Sequence, residues 1–136
     1  MCSSELVILK RAFSATISEW LGAAEYLYEL GEKNIILCER GVRSFDNKLR
    51  NLLDLGSVIY LKKNTPFKII VDPSHSMGLS DYVQEAAYAS IAAGADGIIV
   101  EVHPNPTAAL SDGQQALTLN QFEEMVQMLK KIAPVF

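Results

Sequence analysis

Four short apolar runs at near-constant spacing constrain this chain more than any other feature. They are Leu6 to Leu9 (LVIL), Ile35 to Cys38 (IILC), Ile69 to Val71 (IIV) and Ile98 to Val100 (IIV), and their starts lie 29, 34 and 29 residues apart. Unbroken Ile- and Val-rich runs, rather than alternating ones, mark strands buried on both faces, as in parallel sheets. Strands are expected near 6–10, 34–39, 68–72 and 97–102.

The intervening segments have helical spacing. Ile17, Leu21, Ala24, Leu27 and Leu30 step by three and four onto one face, Thr16 and Glu19 form a capping-box pair, and Gly31 is a stop, which gives a helix over 16–31. A second helix is expected from Lys48, over 48–62, although Gly56 weakens it; a third covers 80–94 and ends at Gly94. The last, over 118–133, has Thr118 and Gln121 at its start and Phe122, Met125, Val126, Leu129 and Ile132 along its inner face.

The chain therefore reads as one domain over 1–136, made of four strand-then-helix units with no linker between them. Two parallel architectures compete. A doubly wound sheet lacks its usual signature, because no GxGxxG follows the first strand and no GxxxxGK[ST] occurs anywhere. The alternative is half of a (β/α)8 barrel, whose full length is about 250 residues.

Composition narrows the partners. A formal net charge of −4 and the absence of a basic stripe argue against nucleic acid. No window approaches the roughly eighteen apolar residues of a membrane span, and MCSSELVILKRAF lacks a basic leader, so a cytoplasmic location is expected. Cys2 and Cys38 are too few for a disulfide framework, in keeping with a reducing compartment.

Each apolar run leads into polar residues: Lys10 and Arg11, Glu39 and Arg40, Asp72 and His75, Glu101 and His103. Ligands bind at the C-terminal ends of parallel strands in both candidate architectures. A single polar residue at a strand exit needs no function; the repetition in all four units is harder to set aside. Lys10 and Arg40 have no obvious helical partner and suit a phosphate or carboxylate. His75, Glu101 and Asp112 make an N,O,O set suited to a divalent metal such as Mn, Fe or Zn. Taken alone, His75 in DPSH and Asp112 in SDG are ordinary turn residues, and His103 an ordinary structural imidazole. Glu101 shares a strand side with Ile99 and is expected to be buried and to need a partner. Cys38 shares a side with Arg40 and reads as an inert buried thiol; Trp20, Tyr26 and Tyr28 read as packing or subunit contact, and Met125 and Met128 as helix packing and surface.

Together, VILKRAFSATISEWLGAAEYL, NIILCERGVRSFD, LRNLLDL, IIVDPSHSMG and AGADGIIVEVHPNPTAALSDGQQALT resemble the C-terminal half of 3-deoxy-D-arabino-heptulosonate 7-phosphate (DAHP) synthase, of the group related to 3-deoxy-manno-octulosonate 8-phosphate synthase. The resemblance covers nearly the whole chain, and the CERG form favours the heptulosonate enzyme. It implies a (β/α)8 barrel that condenses phosphoenolpyruvate with erythrose 4-phosphate, the entry to the shikimate pathway and aromatic amino acid biosynthesis. By matching motifs, it implies His75, Glu101 and Asp112 as ligands of a divalent metal, and Lys10 and Arg40 as the residues that hold phosphoenolpyruvate, with Lys10, Arg40 and His75 in the catalytic set. C3 of phosphoenolpyruvate would attack the aldehyde, water would add at C2, and phosphate would leave. The family's GPCS-like cysteine motif and its KPRTS-like erythrose 4-phosphate segment are absent from this sequence, and Ala12 stands where the family usually has glycine after LKR. Four strands alone would leave two open edges, so a second copy or a complementary N-terminal half is the expected partner.

Overall fold

A computed structural model describes residues 6–133. Its frame is a four-stranded, all-parallel sheet of β1 (Val7–Lys10), β2 (Ile35–Glu39), β3 (Lys68–Val71) and β4 (Gly97–Ile98), in spatial order 1-2-3-4. Every strand pairs with its neighbour in sequence, so the chain steps around the sheet in one direction, as half of a (β/α)8 barrel does. The helices are α1 (Ile17–Glu29), α2 (Leu55–Asn64), α3 (Pro73–Met77), α4 (Val83–Ala92) and α5 (Leu119–Ile132), with 3-10 turns at Ser80–Tyr82 and Pro106–Ala108.

Strand alternation sorts the side chains onto two faces. Leu37, Ile69 and Val71 pack against Trp20 and Ala24 of α1 and Val58 and Leu61 of α2, and this cluster is the main core. Fully burying a side chain such as Leu37 or Ile69 contributes about 1.5–3 kcal/mol. Trp20 also donates its indole N–H to the Leu9 carbonyl at 3.1 Å, which ties α1 to β1. A second cluster, Met77, Val83, Ala87, Leu117 and Met125, joins α3, α4 and α5 beneath β4. The opposite face of the sheet is less covered: Ile8 is 41% exposed, whereas its β1 neighbours Val7 and Leu9 are half-buried on the helix side.

Helix ends follow the sequence where a cap is local. Thr16 accepts from Glu19 N–H while Glu19 accepts from Thr16 N–H, and Thr118 with Gln121 repeats the arrangement. Three expected boundaries need correction. The second helix begins at Leu55, not Lys48, because Asp54 accepts from Ser57 N–H and fixes the start, while Leu52 bridges back to Val42. The third is split into the 3-10 turn at Ser80–Tyr82 and α4. The fourth strand is shorter than expected, Gly97–Ile98: Ile99 N–H still donates to Val71 O at 2.9 Å, but beyond it the backbone turns to other partners, Glu101 N–H to Ser74 Oγ and Val102 to Leu117. A helix that the sequence reading lacks, α3, starts at the DPSH segment, with Asp72 as its cap and Pro73 in its first turn. Cys2 lies outside the described residues.

Candidate functional site

The C-terminal ends of the strands carry the charged residues. Lys10 ends β1, Glu39 ends β2 with Arg40 next, Asp72 follows β3, and Glu101 lies three residues past β4. Even-numbered positions on β1 to β3 face away from the helices, which puts Lys10, Cys38 and Arg40 on one side with Asp72.

Asp72 organises that side. Its Oδ1 accepts the His75 N–H at 3.0 Å, which starts α3, and its Oδ2 accepts Lys10 Nζ at 2.9 Å and meets His75 Nδ1 at 2.8 Å. A carboxylate only accepts, so Nδ1 carries the proton, and in the neutral imidazole it is Nε2 that has the lone pair. That lone pair looks toward Glu101, whose Oε1 is 3.9 Å away. One donor atom each from His75, Glu101 and Asp112 lies within 4.8 Å of the other two. An imidazole nitrogen with two carboxylate oxygens fits a first-row divalent ion, and a histidine whose other nitrogen is held by a carboxylate is the usual form of such a ligand. The two acids are the more open part: the Glu101 side chain is 45% exposed and that of Asp112 is 37% exposed. The sequence reading of Glu101 as a buried charge is thereby corrected, because the strand leaves the sheet before reaching it.

Arg40 presents a second unspent group. Its guanidinium stacks 4.2 Å from the centre of the Phe13 ring, and its Nη1 is buried with no hydrogen-bond partner among the described residues. Burial pulls its pKa below the ordinary value, which Asp72 opposes and Arg50 reinforces. Lys10, by contrast, is already paired with Asp72. Of the two cations, only Arg40 keeps a buried donor without a partner among the described residues. Cys38 is fully buried, and its thiol is pushed up to about 12, chiefly by burial and next by Asp72, which makes it inert. His103 turns back on its own loop, where Nδ1 accepts the Asn105 N–H at 3.0 Å.

A neighbouring cluster on the helix side is closed. Arg11 Nη1 donates to Glu39 Oε2 at 2.9 Å, Asp54 Oδ2 at 3.0 Å and Ser57 Oγ at 3.2 Å. Ser57 Oγ donates to Glu39 Oε2 at 3.1 Å, and Gly41 N–H donates to Glu39 Oε1 at 2.8 Å. Burial alone would lower the Arg11 pKa, but the bonds to Glu39 and Asp54 outweigh it and hold it above its ordinary value. Glu39 thus fixes the turn immediately after Arg40. Gly41 is required there: its φ is +89°, and an added Cβ would stand 2.6 Å from Asn51 Cβ and 2.9 Å from Ser76 Cβ.

The sequence reading gave no role to Asp54, Ser57, Arg50 or Gln115, and named Arg11, Glu39 and Asp72 only as polar strand exits. One local signal was available. Asp before Pro at a strand end is a helix start, and a cap at Asp72 brings its carboxylate within reach of His75 three residues on.

Four parallel βα units in sequential order, with charged groups gathered at the C-terminal rim, place this chain in the class of (β/α)8 barrel folds, as half of one. More narrowly, the chain belongs to the DAHP synthetase I family, whose pattern matches residues 2–135. It is 52% identical over 127 residues to the phospho-2-dehydro-3-deoxyheptonate aldolase of Thermotoga maritima, covering 93% of this chain and 38% of that protein. A 2-dehydro-3-deoxyphosphooctonate aldolase of Aliivibrio fischeri is 36% identical over 116 residues, covering 76% of this chain and 40% of that protein. A truncated form of 3-deoxy-D-arabino-heptulosonate 7-phosphate synthase from T. maritima superposes with a TM-score of 0.95 at 50% identity, over 97% of this chain and 50% of that one. The chain thus spans well under half the length of these two full-length relatives. Among the described residues, no helix is long and apolar enough to cross a membrane.

Proposed function

We propose that this chain is the half of a 3-deoxy-7-phosphoheptulonate synthase that carries the metal and phosphoenolpyruvate residues, working in the cytoplasm on phosphoenolpyruvate and erythrose 4-phosphate. The observation that carries the reading is the convergence of His75, Glu101 and Asp112 donor atoms within 4.8 Å. The higher identity to the heptonate than to the octonate relative supports the choice of sugar.

A divalent ion such as Mn, Fe or Zn, held by His75, Glu101 and Asp112, would supply Lewis-acid polarisation of the aldehyde oxygen. The chain's own residues prepare the rest. Asp72 fixes the imidazole of His75 in the tautomer that leaves Nε2 open. The buried Nη1 of Arg40, unpartnered among the described residues, offers a strong donor to the phosphate or carboxylate of phosphoenolpyruvate, and the Lys10 ammonium on the same side of the sheet adds the second cation. Phe13 backs the guanidinium and keeps water off one of its faces. As phosphate leaves, these two cations offset the charge that gathers on it.

The uncovered edges of β1 and β4 are to be closed by a complementary N-terminal half or by a second copy of this chain. The test is to mix the purified chain with a separately produced half carrying the first four βα units of the T. maritima relative. With Mn²⁺ and both substrates, phosphate release well above that of either half is expected. No gain on mixing, with both halves folded, overturns the proposal.

A further inference from the structure

We infer that Arg50 is a positioning residue for the three-residue donor set, a strut that holds Asp112 in place against α3, which bears His75; the inference rests on the metal reading above. Arg50 touches α3 and the Asp112 loop at once. On the main-chain side, Arg50 N–H donates to Met77 O at 3.3 Å, Asn51 N–H to Ser76 O at 2.9 Å, and Asn51 Nδ2 to His75 O at 3.0 Å, so the 50–51 segment is bonded along α3. The packing there is tight: at Gly78, with φ +74°, an added Cβ would stand 2.6 Å from Arg50 Cβ.

On the side-chain side, Arg50 Nη1 donates to Gln115 Oε1 at 2.6 Å and lies 3.7 Å from Asp112 Oδ1. Gln115 is buried, and its N–H donates to the Asp112 carbonyl at 3.1 Å, as does that of Ala116. A guanidinium has only donors, so the Gln115 amide must turn its oxygen to Arg50. That choice leaves Gln115 Nε2 buried with no partner among the described residues, a cost the fold carries in order to keep the Arg50 bond. Asp112 itself sits at φ +56°, a backbone region uncommon for residues other than glycine, although aspartate is among those that tolerate it. Arg50 and Gln115 therefore brace a ligand whose own backbone is unusual, across a cleft of about 460 Å³ that they line together with Gly78 and Asp112.

Arg50 is also a cation near a cation site, and repulsion opposes its bracing effect. Both side chains are well exposed, 46% for Arg50 and 37% for Asp112, so water screens the repulsion, and the geometric contribution dominates.

Mn²⁺ affinity, read by the loss of free-ion signal in electron paramagnetic resonance, decides the matter, with circular dichroism to confirm folding. Arg50→Ala is expected to weaken Mn²⁺ binding about 10-fold. Arg50→Lys should recover part of that loss, and Gln115→Met should weaken binding with Arg50 intact. Lys48→Ala, which removes a charge from the same cleft without touching Asp112, should leave affinity unchanged. Equal or tighter binding by Arg50→Ala overturns the Arg50 role alone; should that variant fail to fold, unchanged affinity in Arg50→Lys and Gln115→Met overturns it. A wild-type chain that takes up no Mn²⁺ overturns the metal reading and this inference with it.

Discussion

Arg11, Glu39, Asp54 and Ser57 on the helix side of the sheet can be set beside His75, Glu101 and Asp112 at the same rim. Both clusters mix carboxylates with a cationic or basic group. In the first, both Glu39 oxygens are engaged, and Arg11 is 6% exposed with four oxygen partners at 3.2 Å or less. In the second, the only close approach between members is the 3.9 Å from His75 to Glu101, and the acids are 45% and 37% exposed. Residue type does not distinguish a brace from a ligand set; the fraction of lone pairs left unspent does. A closed cluster answers to stability, and an open one to what binds.

That distinction can be broken most sharply at Glu39. Glu39→Ala leaves Arg11 buried beside a missing partner and should cost about 3–5 kcal/mol of unfolding free energy in urea titration. A variant as stable as wild type would erase the contrast. Next comes Gly41→Ala, which combines a left-handed backbone with a Cβ clash and should cost about 2–3 kcal/mol by the same measurement. A loss under about 0.5 kcal/mol, the level of an ordinary surface substitution, would show that the turn after Arg40 is not held as described. The smallest stability effect belongs to the open cluster: Glu101→Gln should change unfolding free energy by no more than about 0.5 kcal/mol while abolishing Mn²⁺ uptake. A large loss of stability there would make Glu101 a brace instead.

How much of this was written in the sequence depends on range. The four strands were legible because continuous Ile- and Val-rich runs mark parallel strands without reference to any partner, although the two-sided burial they suggest is not met in β1, where Ile8 is 41% exposed. The capping boxes at Thr16 and Thr118 were legible because each is closed within four residues. The exposure of Glu101 was not legible, since alternation presumes a strand that continues, and no local pattern says that the fourth one turns to other partners after Ile99. The start of α2 was misread because Lys48 to Leu53 is apolar enough to look helical, whereas Leu52 is claimed by Val42 ten residues earlier. Arg11 with Glu39, 28 residues apart, and Arg50 with Gln115, 65 residues apart, were beyond reach of any reading along the chain. His75, Glu101 and Asp112 were proposed from their types and motifs, and the fold brings them together from α3 and from the segment between β4 and α5.

The strand order has a kinetic consequence as well. Since each strand pairs only with the one a single unit away, with Val7 opposite Ile35, Ile36 opposite Lys68 and Ile70 opposite Gly97, no ladder has to close a loop much longer than about thirty residues. Most parallel sheets fold slowly because their strands are distant in sequence. Here the sheet can grow one unit at a time from the β2 and β3 pair, which has the most buried strands, and each added unit meets a template already in place.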